Sequence, residues 1–319
     1  MNKMYLWTVL IIFTLLSPFA GTVSLDLNAL FESNSLSQRI FFELRLPRIL
    51  LAFVVGGTLG IAGLIFQTLF RNSLMTPFTL GVSGGAVLGA GISIKLGLTL
   101  IFGISALSLF GFMGAFSTVL LLILLSKYLK KAEQESLLLL GIALSFFYSS
   151  ALMVIFYLSS FTETATIMRF TMGSLSVVGY ESLITISLFS ALLLALLYFK
   201  RFELQLLAIS DEQAALKGVN TKQLTYLLLA VSSLAIGVLV SLTGPIGFIG
   251  LIIPHMVRKL YQKPITSLIL PVFFIGGFFL LACDTLARFL SSGSEIPIGV
   301  VTALIGGPFF IYLIISRKN

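Results

Sequence analysis

Apolar segments of membrane-spanning length alternate with short polar segments along the whole chain. About 20 apolar residues cross a bilayer as a helix, and on that measure the sequence predicts ten spans, near residues 5–23, 49–70, 78–96, 99–125, 137–158, 183–199, 225–243, 246–257, 266–284 and 297–315. The composition agrees, because 58% of the residues are hydrophobic, 10% are charged and the mean hydropathy is +1.09. Soluble domains are far more polar. We therefore expect an all-α polytopic membrane protein with a single domain, residues 1–319.

The apolar run over residues 225–257 is far longer than one span needs. Gly244, Pro245 and Gly247 interrupt it, so the sequence predicts two helices here rather than one. The second helix is then short, and it must be tilted or partly re-entrant, with its irregular backbone shielded by protein.

The basic residues predict the orientation in the membrane. The first segment has the pattern of a cleaved signal peptide, because a basic residue (Lys3) precedes an apolar run. Nothing after this segment requires export as a soluble domain. We therefore interpret the segment as a membrane span. With the N-terminus in the cytoplasm, six of the 20 basic residues lie outside. The positive-inside rule favours this orientation, with both termini in the cytoplasm. The six outer residues are Arg39, Arg45, Arg48, Lys95, Arg169 and Arg288.

Five spans before about residue 160 and five after it make the two halves opposite in direction, so any internal repeat must be inverted. Small residues recur at every fourth position where helices would pack closely. They lie at Gly56 and Gly60, and again at Gly81, Gly85 and Gly89. Two interpretations stay open for these glycines, ordinary helix packing and the lining of a pathway that moves.

The polar segment 206–224, which we call the polar island, interrupts the second half of the chain. Ser210 is a good N-cap, and Gln213 can reach back to complete a capping box. Lys217 places positive charge in the last turn, and Gly218 can take the left-handed conformation beyond it. The sequence therefore predicts one short helix standing in water on the cytoplasmic side.

Charge and apolar surface within the polar island leave two interpretations. Asp211 and Glu212 suit the first turn of a helix, and a small apolar surface is formed by Ala214, Ala215 and Leu216. The segment is either a solvated connecting loop or a contact helix for a cytoplasmic partner.

Catalytic and metal-binding patterns are missing. The chain has no GxxxxGK[ST] motif, and the glycine cluster GVSGGAVLG at 81–89 lacks the lysine of a P-loop. Cys283 is the only cysteine and His255 the only histidine, so metal, haem or other cofactor sites and enzymatic chemistry are not expected. Asp284 and Arg288 form an expected i,i+4 pair, with either a neutralising or a functional role. The net charge of +8 is interpreted as a topology signal, not as a nucleic-acid surface.

Six ordered motifs resemble the FecCD-type permeases, the membrane subunits of ABC importers for ferric siderophores, haem and cobalamin. The first is LRLPRILLAFVVGGTLGIAGLIFQTLFRNSLMTPFTLGVSGGA at 44–86. The others are MGSL at 172–175, DEQAALKGVN at 211–220, GPIGFIGLIIPHMVRKL at 244–260, ACDTLAR at 282–288 and EIPIGVVTALIGGPFF at 295–310. The resemblance covers the chain almost from end to end.

The resemblance implies a type II ABC importer permease fold with ten helices in the cell (inner) membrane. It also implies a second permease subunit, identical or paralogous, a dimer of cytoplasmic ABC ATPases and an external substrate-binding protein. The ATPase-coupling positions would be Ser210, Asp211, Glu212, Ala215, Leu216, Lys217 and Gly218. The missing P-loop is then expected, because hydrolysis belongs to the ATPase chain.

The resemblance also assigns roles on the outer side. Arg45 and Arg48, and less securely Arg288, match the arginines that meet the binding protein. Pathway or packing positions are expected at Gly81, Ser83, Gly84, Gly85, Gly89, Met172, Gly173 and Ser174. The chain departs from the family at Arg169 and Phe170, where relatives commonly carry a tryptophan, so the resemblance does not carry over the family's substrate preference at that loop.

Two interpretations of Arg45 and Arg48 are open. They flank Pro47 at the entry to a span, where both guanidinium groups would stay in water and either dock an acidic partner or anchor to lipid headgroups. For the whole chain, we expect an ATP-driven importer of an iron chelate, a ferric siderophore above haem or cobalamin. The alternative is a stand-alone secondary carrier, although acidic residues that could relay protons are scarce within the spans.

Overall fold

The computed structural model describes residues 8, 10, 12–14, 16–20, 35–101, 103–126, 134–176, 178–290 and 295–316. A 3-10 turn, Ser17–Phe19, lies near the start, and a two-stranded antiparallel hairpin pairs β1 (Leu100–Ile101) with β2 (Ile104–Ser105). All other elements are helices. In chain order they are α1 (Leu36–Leu69), α2 (Val82–Lys95), α3 (Ala106–Ser126), α4 (Gln134–Leu158), α5 (Phe161–Thr171), α6 (Glu181–Ile209), α7 (Asp211–Leu216), α8 (Thr221–Thr243), α9 (Ile249–Tyr261), α10 (Ile265–Leu290) and α11 (Ile298–Ser316).

Six of the described helices are long and apolar enough to cross a membrane, namely α1, α3, α4, α6, α8 and α10. Two shorter apolar helices, α2 and α11, accompany them. The helical membrane fold predicted from the sequence is therefore present, whereas the count of ten spans and the inverted halves stay predictions. The first predicted span, 5–23, lies mostly outside the described residues.

Helix α1 is the centre of the fold. Of an 18-residue apolar stretch within this helix, 83% is buried inside the protein. The helix packs against α6, α8, α9 and α10. A π-helical turn, Ile40–Arg45, widens its first part. The Tyr180 hydroxyl donates to the Phe42 carbonyl at 2.8 Å, and the Gly179 N–H donates to the Glu43 carbonyl at 2.9 Å. The segment before α6 thus satisfies backbone carbonyls that the wider turn leaves available.

Glycines set the close approach of α1 to its neighbours. A Cβ at Gly56 would overlap the Gly276 carbonyl of α10, and a Cβ at Gly63 would overlap the Gly250 backbone of α9. Backbones can approach this closely only without side chains between them. The buried face of α1 is therefore specified by small residues as much as by large apolar ones.

The predicted break in the run 225–257 is present. Helix α8 ends at Thr243, Gly244 adopts a positive φ of 69°, and α9 begins at Ile249. Glycine takes this backbone conformation without steric cost. The two helices can therefore change direction at this point while α9 remains only 13 residues long.

Several predicted boundaries were wrong. The span expected at 99–125 begins later, because Leu100–Ile101 and Ile104–Ser105 are paired strands and the helix starts at Ala106. The span expected at 78–96 is a helix of 14 residues, preceded by turns. Helices α1 and α6 are both longer than predicted, because polar residues at their ends continue the helix beyond the apolar run.

Candidate functional site

Charged residues from distant parts of the chain meet at one end of α1. The Arg48 Nε donates to Asp284 Oδ1 at 3.0 Å, and Arg48 Nη1 donates to Glu295 Oε1 at 2.7 Å. Arg288 Nε lies 3.0 Å from Asp284 Oδ2, close enough for an ion pair although not aligned for a hydrogen bond. Two guanidinium groups and two carboxylates therefore neutralise one another. We call Arg48, Asp284, Arg288 and Glu295 the ionic cluster.

Two arginines at this end also hold the start of the described chain. Arg45 Nη1 donates to the Pro18 carbonyl at 2.8 Å, and Arg288 Nη1 donates to the Ala20 carbonyl at 2.8 Å. The polypeptide around the Ser17–Phe19 turn is thus fixed to α1 and α10 by side-chain contacts.

The expectation that the guanidinium groups of Arg45 and Arg48 stay in water is wrong. Their exposed fractions are 8% and 9%. Both groups turn inward because a buried carboxylate, Asp284, and the Pro18 carbonyl offer acceptors there. The predicted Asp284 to Arg288 pair is present, but Arg48 shares its carboxylate. Docking of an external protein by Arg45, Arg48 and Arg288 stays a prediction.

Glu295 links the ionic cluster to the segment before α6. Its second carboxylate oxygen accepts a hydrogen bond from the Ser176 hydroxyl. Burial alone would raise the pKa of Glu295, but the Ser176 hydroxyl and the Arg48 guanidinium outweigh it, so the pKa lies below its usual range. The carboxylate is therefore held in its charged form.

The polar island lies at the opposite end of α1. From Arg48 to Leu69 the helix rises about 30 Å, the thickness of the hydrocarbon core of a bilayer. Just beyond, Arg71 Nη2 donates to Asp211 Oδ1 at 2.6 Å and to the Leu207 carbonyl at 2.9 Å. Arg71 thereby fixes the start of α7 to the end of α1. This role could not be predicted from the sequence, because Arg71 lies about 140 positions before Asp211 along the chain.

The local structure of the polar island follows the predicted signals in part. The Ser210 hydroxyl accepts from the Gln213 N–H at 3.0 Å, as expected for an N-cap. The predicted capping box is absent, because the Ser210 N–H donates to the Leu206 carbonyl instead. Gly218 has a φ of 82°. Lys217 is the C-cap, one residue beyond the last turn in which it was expected.

The apolar residues of the polar island face in different directions. Ala214 is fully buried, whereas Leu216 is 86% exposed, and Asp211, Glu212 and Ala215 are also exposed. Leu216 therefore presents an apolar side chain to solvent on a helix that is held in place at its base. The coupling role of the island stays a prediction.

The predicted pathway or packing positions contact different elements. Gly85 and Gly89 lie against the backbone of α3, Gly84 faces Tyr148 of α4, and Gly81 is the left-handed N-cap of α2. Ser83 is buried in the first turn of α2. These residues pack α2 into the fold.

The segment Met172–Ser174 packs elsewhere, against the break between α8 and α9. The Ser174 N–H donates to the Thr243 carbonyl at 2.7 Å, and the Gly299 N–H donates to the Met172 carbonyl at 3.0 Å. Gly173 has a φ of 71°, and a Cβ there would press on the Pro245 carbonyl. Three separate elements therefore meet at this segment. A pathway role for these residues stays a prediction.

The fold and the site are those of a polytopic α-helical membrane protein of the permease class, with a neutralised ionic cluster at one end and an exposed capped helix at the other. A family model described as the FecCD transport family matches residues 9–316. The chain belongs to this family.

The relatives in this family are ABC transporter permeases. The hemin transport system permease HmuU of Yersinia pestis is 34% identical over 99% of this chain and 95% of its own length. The molybdate import system permease MolB of Haemophilus influenzae is 33% identical over 90% of this chain and 84% of its own length. The cobalamin import system permease BtuC of Halobacterium salinarum is 37% identical over 88% of this chain and 75% of its own length.

Two solved structures share the architecture. One, described as an inward-facing conformation of a metal-chelate type ABC transporter, matches with a TM-score of 0.87 and 30% identity over 98% of both chains. The other, PsaBC from Streptococcus pneumoniae, matches with a TM-score of 0.59 and 19% identity over 89% of this chain and 92% of its own. The second likeness concerns the fold alone.

Proposed function

We propose that this chain is the permease subunit through which an ATP-driven importer moves an iron chelate into the cell, with a ferric siderophore as the expected substrate. It pairs with a second permease subunit, identical or paralogous, in the cell (inner) membrane, with both termini in the cytoplasm. An external binding protein delivers the chelate, and a dimer of ABC ATPases drives the import.

The observation that carries this proposal is the exposure of Leu216. A polar island that merely connected two spans would have no need of an apolar side chain in water, and it would not need a base fixed by Arg71 and Asp211. A short helix that is rigid at its base and apolar at its surface suits the transmission of motion from a partner protein. The ATPase is the partner that an importer permease requires on this side.

The substrate is proposed from the relatives, whose names include hemin, cobalamin and molybdate systems. Hemin and ferric siderophores share an iron centre within an organic chelate, and cobalamin is also a large metal chelate. Molybdate is a small oxyanion, so it is the substrate that departs most from the proposal. Haem and cobalamin are the alternatives, followed by a secondary carrier that needs no ATPase.

The test is uptake into vesicles that contain the chain together with its ATPase and binding protein. We expect accumulation of a ferric siderophore when ATP is supplied on the ATPase side, and none when an ion gradient replaces ATP. Hemin, cobalamin and molybdate are offered in parallel. Uptake of one of these in place of the siderophore would correct the substrate, and uptake driven by the ion gradient without the ATPase would contradict the importer assignment.

A further inference from the structure

Helix α6 is longer than the membrane requires, and its length places one group of residues at a defined depth. It runs from Glu181 to Ile209. About 20 residues at 1.5 Å each cover the hydrocarbon core. Counted from Glu181, the opposite edge of that core falls close to Arg201. The last two turns of α6 then stand beyond the membrane and lead into the polar island.

Arg201 lies between two aromatic rings at that depth. Its Cζ is 4.2 Å from the centroid of the Tyr198 ring and 4.9 Å from that of Phe202. Arg201 has no ion pair with any residue in the described part of the chain. The neighbouring Lys200 is engaged with Glu203 at 2.8 Å. Arg201 is therefore a charge at this level that the described residues leave without a carboxylate partner.

An apolar stripe leads along α6 to the same place. Residues at helical spacing are exposed from the middle of the span to its end, with Leu188 68%, Leu192 53%, Phe199 76% and Phe202 64% accessible. In a chain that spans a membrane, an apolar stripe that the described residues leave uncovered is suited to contact with hydrocarbon. The stripe ends where Tyr198 and Arg201 begin to offer polar atoms.

We propose that Tyr198, Arg201 and Phe202 form a binding site for the headgroup of an anionic phospholipid of the inner leaflet. The rings orient the guanidinium group, whose planar set of N–H donors suits a phosphate. The acyl chains of the same lipid lie along the stripe from Phe199 to Leu188. Aromatic residues at the interface and basic residues near the headgroups are each favourable in this position.

The stripe favours a lipid over a soluble partner. A cytoplasmic protein could reach the headgroup level but not Leu188 and Leu192, which lie within the hydrocarbon span. The site also combines a cation with an apolar surface, and these match the headgroup and the acyl chains of a lipid. Free phosphate would use only the cation. The inference rests on the proposed orientation, with the polar island in the cytoplasm, and does not depend on the transported substrate.

The test is titration of the delipidated, full-length protein in detergent with phosphatidylglycerol, followed by native mass spectrometry of the bound lipid. Arg201→Gln should weaken binding about fivefold, the effect of about 1 kcal/mol for one basic residue near the headgroups. Phosphatidylcholine should bind more weakly to the wild type. Inorganic phosphate should not compete at millimolar concentration, because it lacks the acyl chains.

Two variants separate a built site from diffuse attraction. Replacing both rings, Tyr198→Leu with Phe202→Leu, keeps the net charge and should still weaken phosphatidylglycerol binding. Lys263→Gln removes an exposed charge from the same end of the molecule and should leave binding within about twofold of the wild type. Arg201→Lys, which keeps the charge, should lie between the wild type and Arg201→Gln.

Three results would overturn the proposal. In the first, Arg201→Gln and Lys263→Gln weaken binding equally while the ring variant matches the wild type, so that only diffuse charge acts. In the second, phosphatidylglycerol and phosphatidylcholine bind alike. In the third, Arg201→Gln abolishes association with the ATPase while lipid binding is unchanged, which would assign the surface to that protein.

Discussion

The two ends of α1 use charged residues in opposite ways. At one end, Arg48 and Asp284 are nearly removed from solvent, with side-chain exposures of 11% and 0%. At the other end, Arg71 and Asp211 form a shorter contact of 2.6 Å, yet their side chains are 31% and 55% exposed. The first pair is enclosed by the protein's own helices, and the second stands at the edge of an open surface.

This difference shows that burial, more than distance, decides what an ion pair does. Removing one partner of a buried pair leaves an uncompensated charge, which costs about 3 to 5 kcal/mol. An exposed pair contributes only about 0 to 1 kcal/mol, because water solvates each charge when the other is lost. We therefore interpret the ionic cluster as a structural fastening and the island pair as a device that orients a short helix.

The same substitution at both ends should separate the two roles. Asp284→Asn removes the carboxylate that Arg48 and Arg288 share. We expect the free energy of unfolding to fall by about 3 to 5 kcal/mol. Asp211→Asn should lower it by less than about 1 kcal/mol. Thermal unfolding of both variants in detergent is the measurement. Equal losses of stability would show that the two ends do not differ in this way.

The helix that joins the two ends depends on close packing. Gly63→Ala would drive a methyl group into the Gly250 backbone, and we expect a loss of about 1 to 3 kcal/mol, typical of overpacking. Gly307→Ala is the matched control, because nothing lies within 4 Å of its Cβ position. Its thermal stability should be unchanged or slightly raised. A wild-type melting temperature for Gly63→Ala would contradict the packing of α1 on α9.

The smallest effect on stability is expected from protonation of Glu295 in the ionic cluster. Because the folded-state pKa of Glu295 is lowered, its contribution to stability is present above the unfolded pKa and disappears as the pH falls through the lowered value. The carboxylate is 54% exposed, so we expect the contribution to stay below about 1 kcal/mol.

Melting temperature measured against pH checks this expectation. Glu295→Gln should remove the part of the acid-induced loss that belongs to this carboxylate, and Ser176→Ala should shift that loss towards higher pH. Profiles that are identical in the wild type and Glu295→Gln would show that the carboxylate contributes nothing.

Local features of the chain could be predicted from the sequence. The break before α9 follows from Gly244, whose positive φ only glycine adopts freely, and the N-cap at Ser210 follows from its own side chain. Such features depend on residues within one or two turns of each other. The family could be inferred for a similar reason, because its motifs are continuous segments.

Long-range contacts could not be predicted in the same way. The burial of Arg48 depends on Asp284 and Glu295, which lie more than 200 positions away along the chain, and the fixing of α7 depends on Arg71. The start of α3 was also misplaced, because the apolar residues 100–105 suit a hairpin as well as a helix when only hydrophobicity is considered.

The role of the polar island can be tested at Leu216, whose side chain projects from α7 with 86% of its surface exposed. Leu216→Asp should leave thermal stability within about 0.5 kcal/mol of the wild type, because the site is at the surface. It should weaken association with the ATPase about tenfold, as expected when an apolar contact at the centre of an interface is lost.

The measurement is ATP-driven uptake into vesicles, made together with copurification of the ATPase. We predict that Leu216→Asp lowers both while it remains folded, and that Leu216→Met, which keeps the apolar surface, retains both. A folded Leu216→Asp variant with wild-type uptake and wild-type copurification would contradict the assignment of the polar island as the coupling surface.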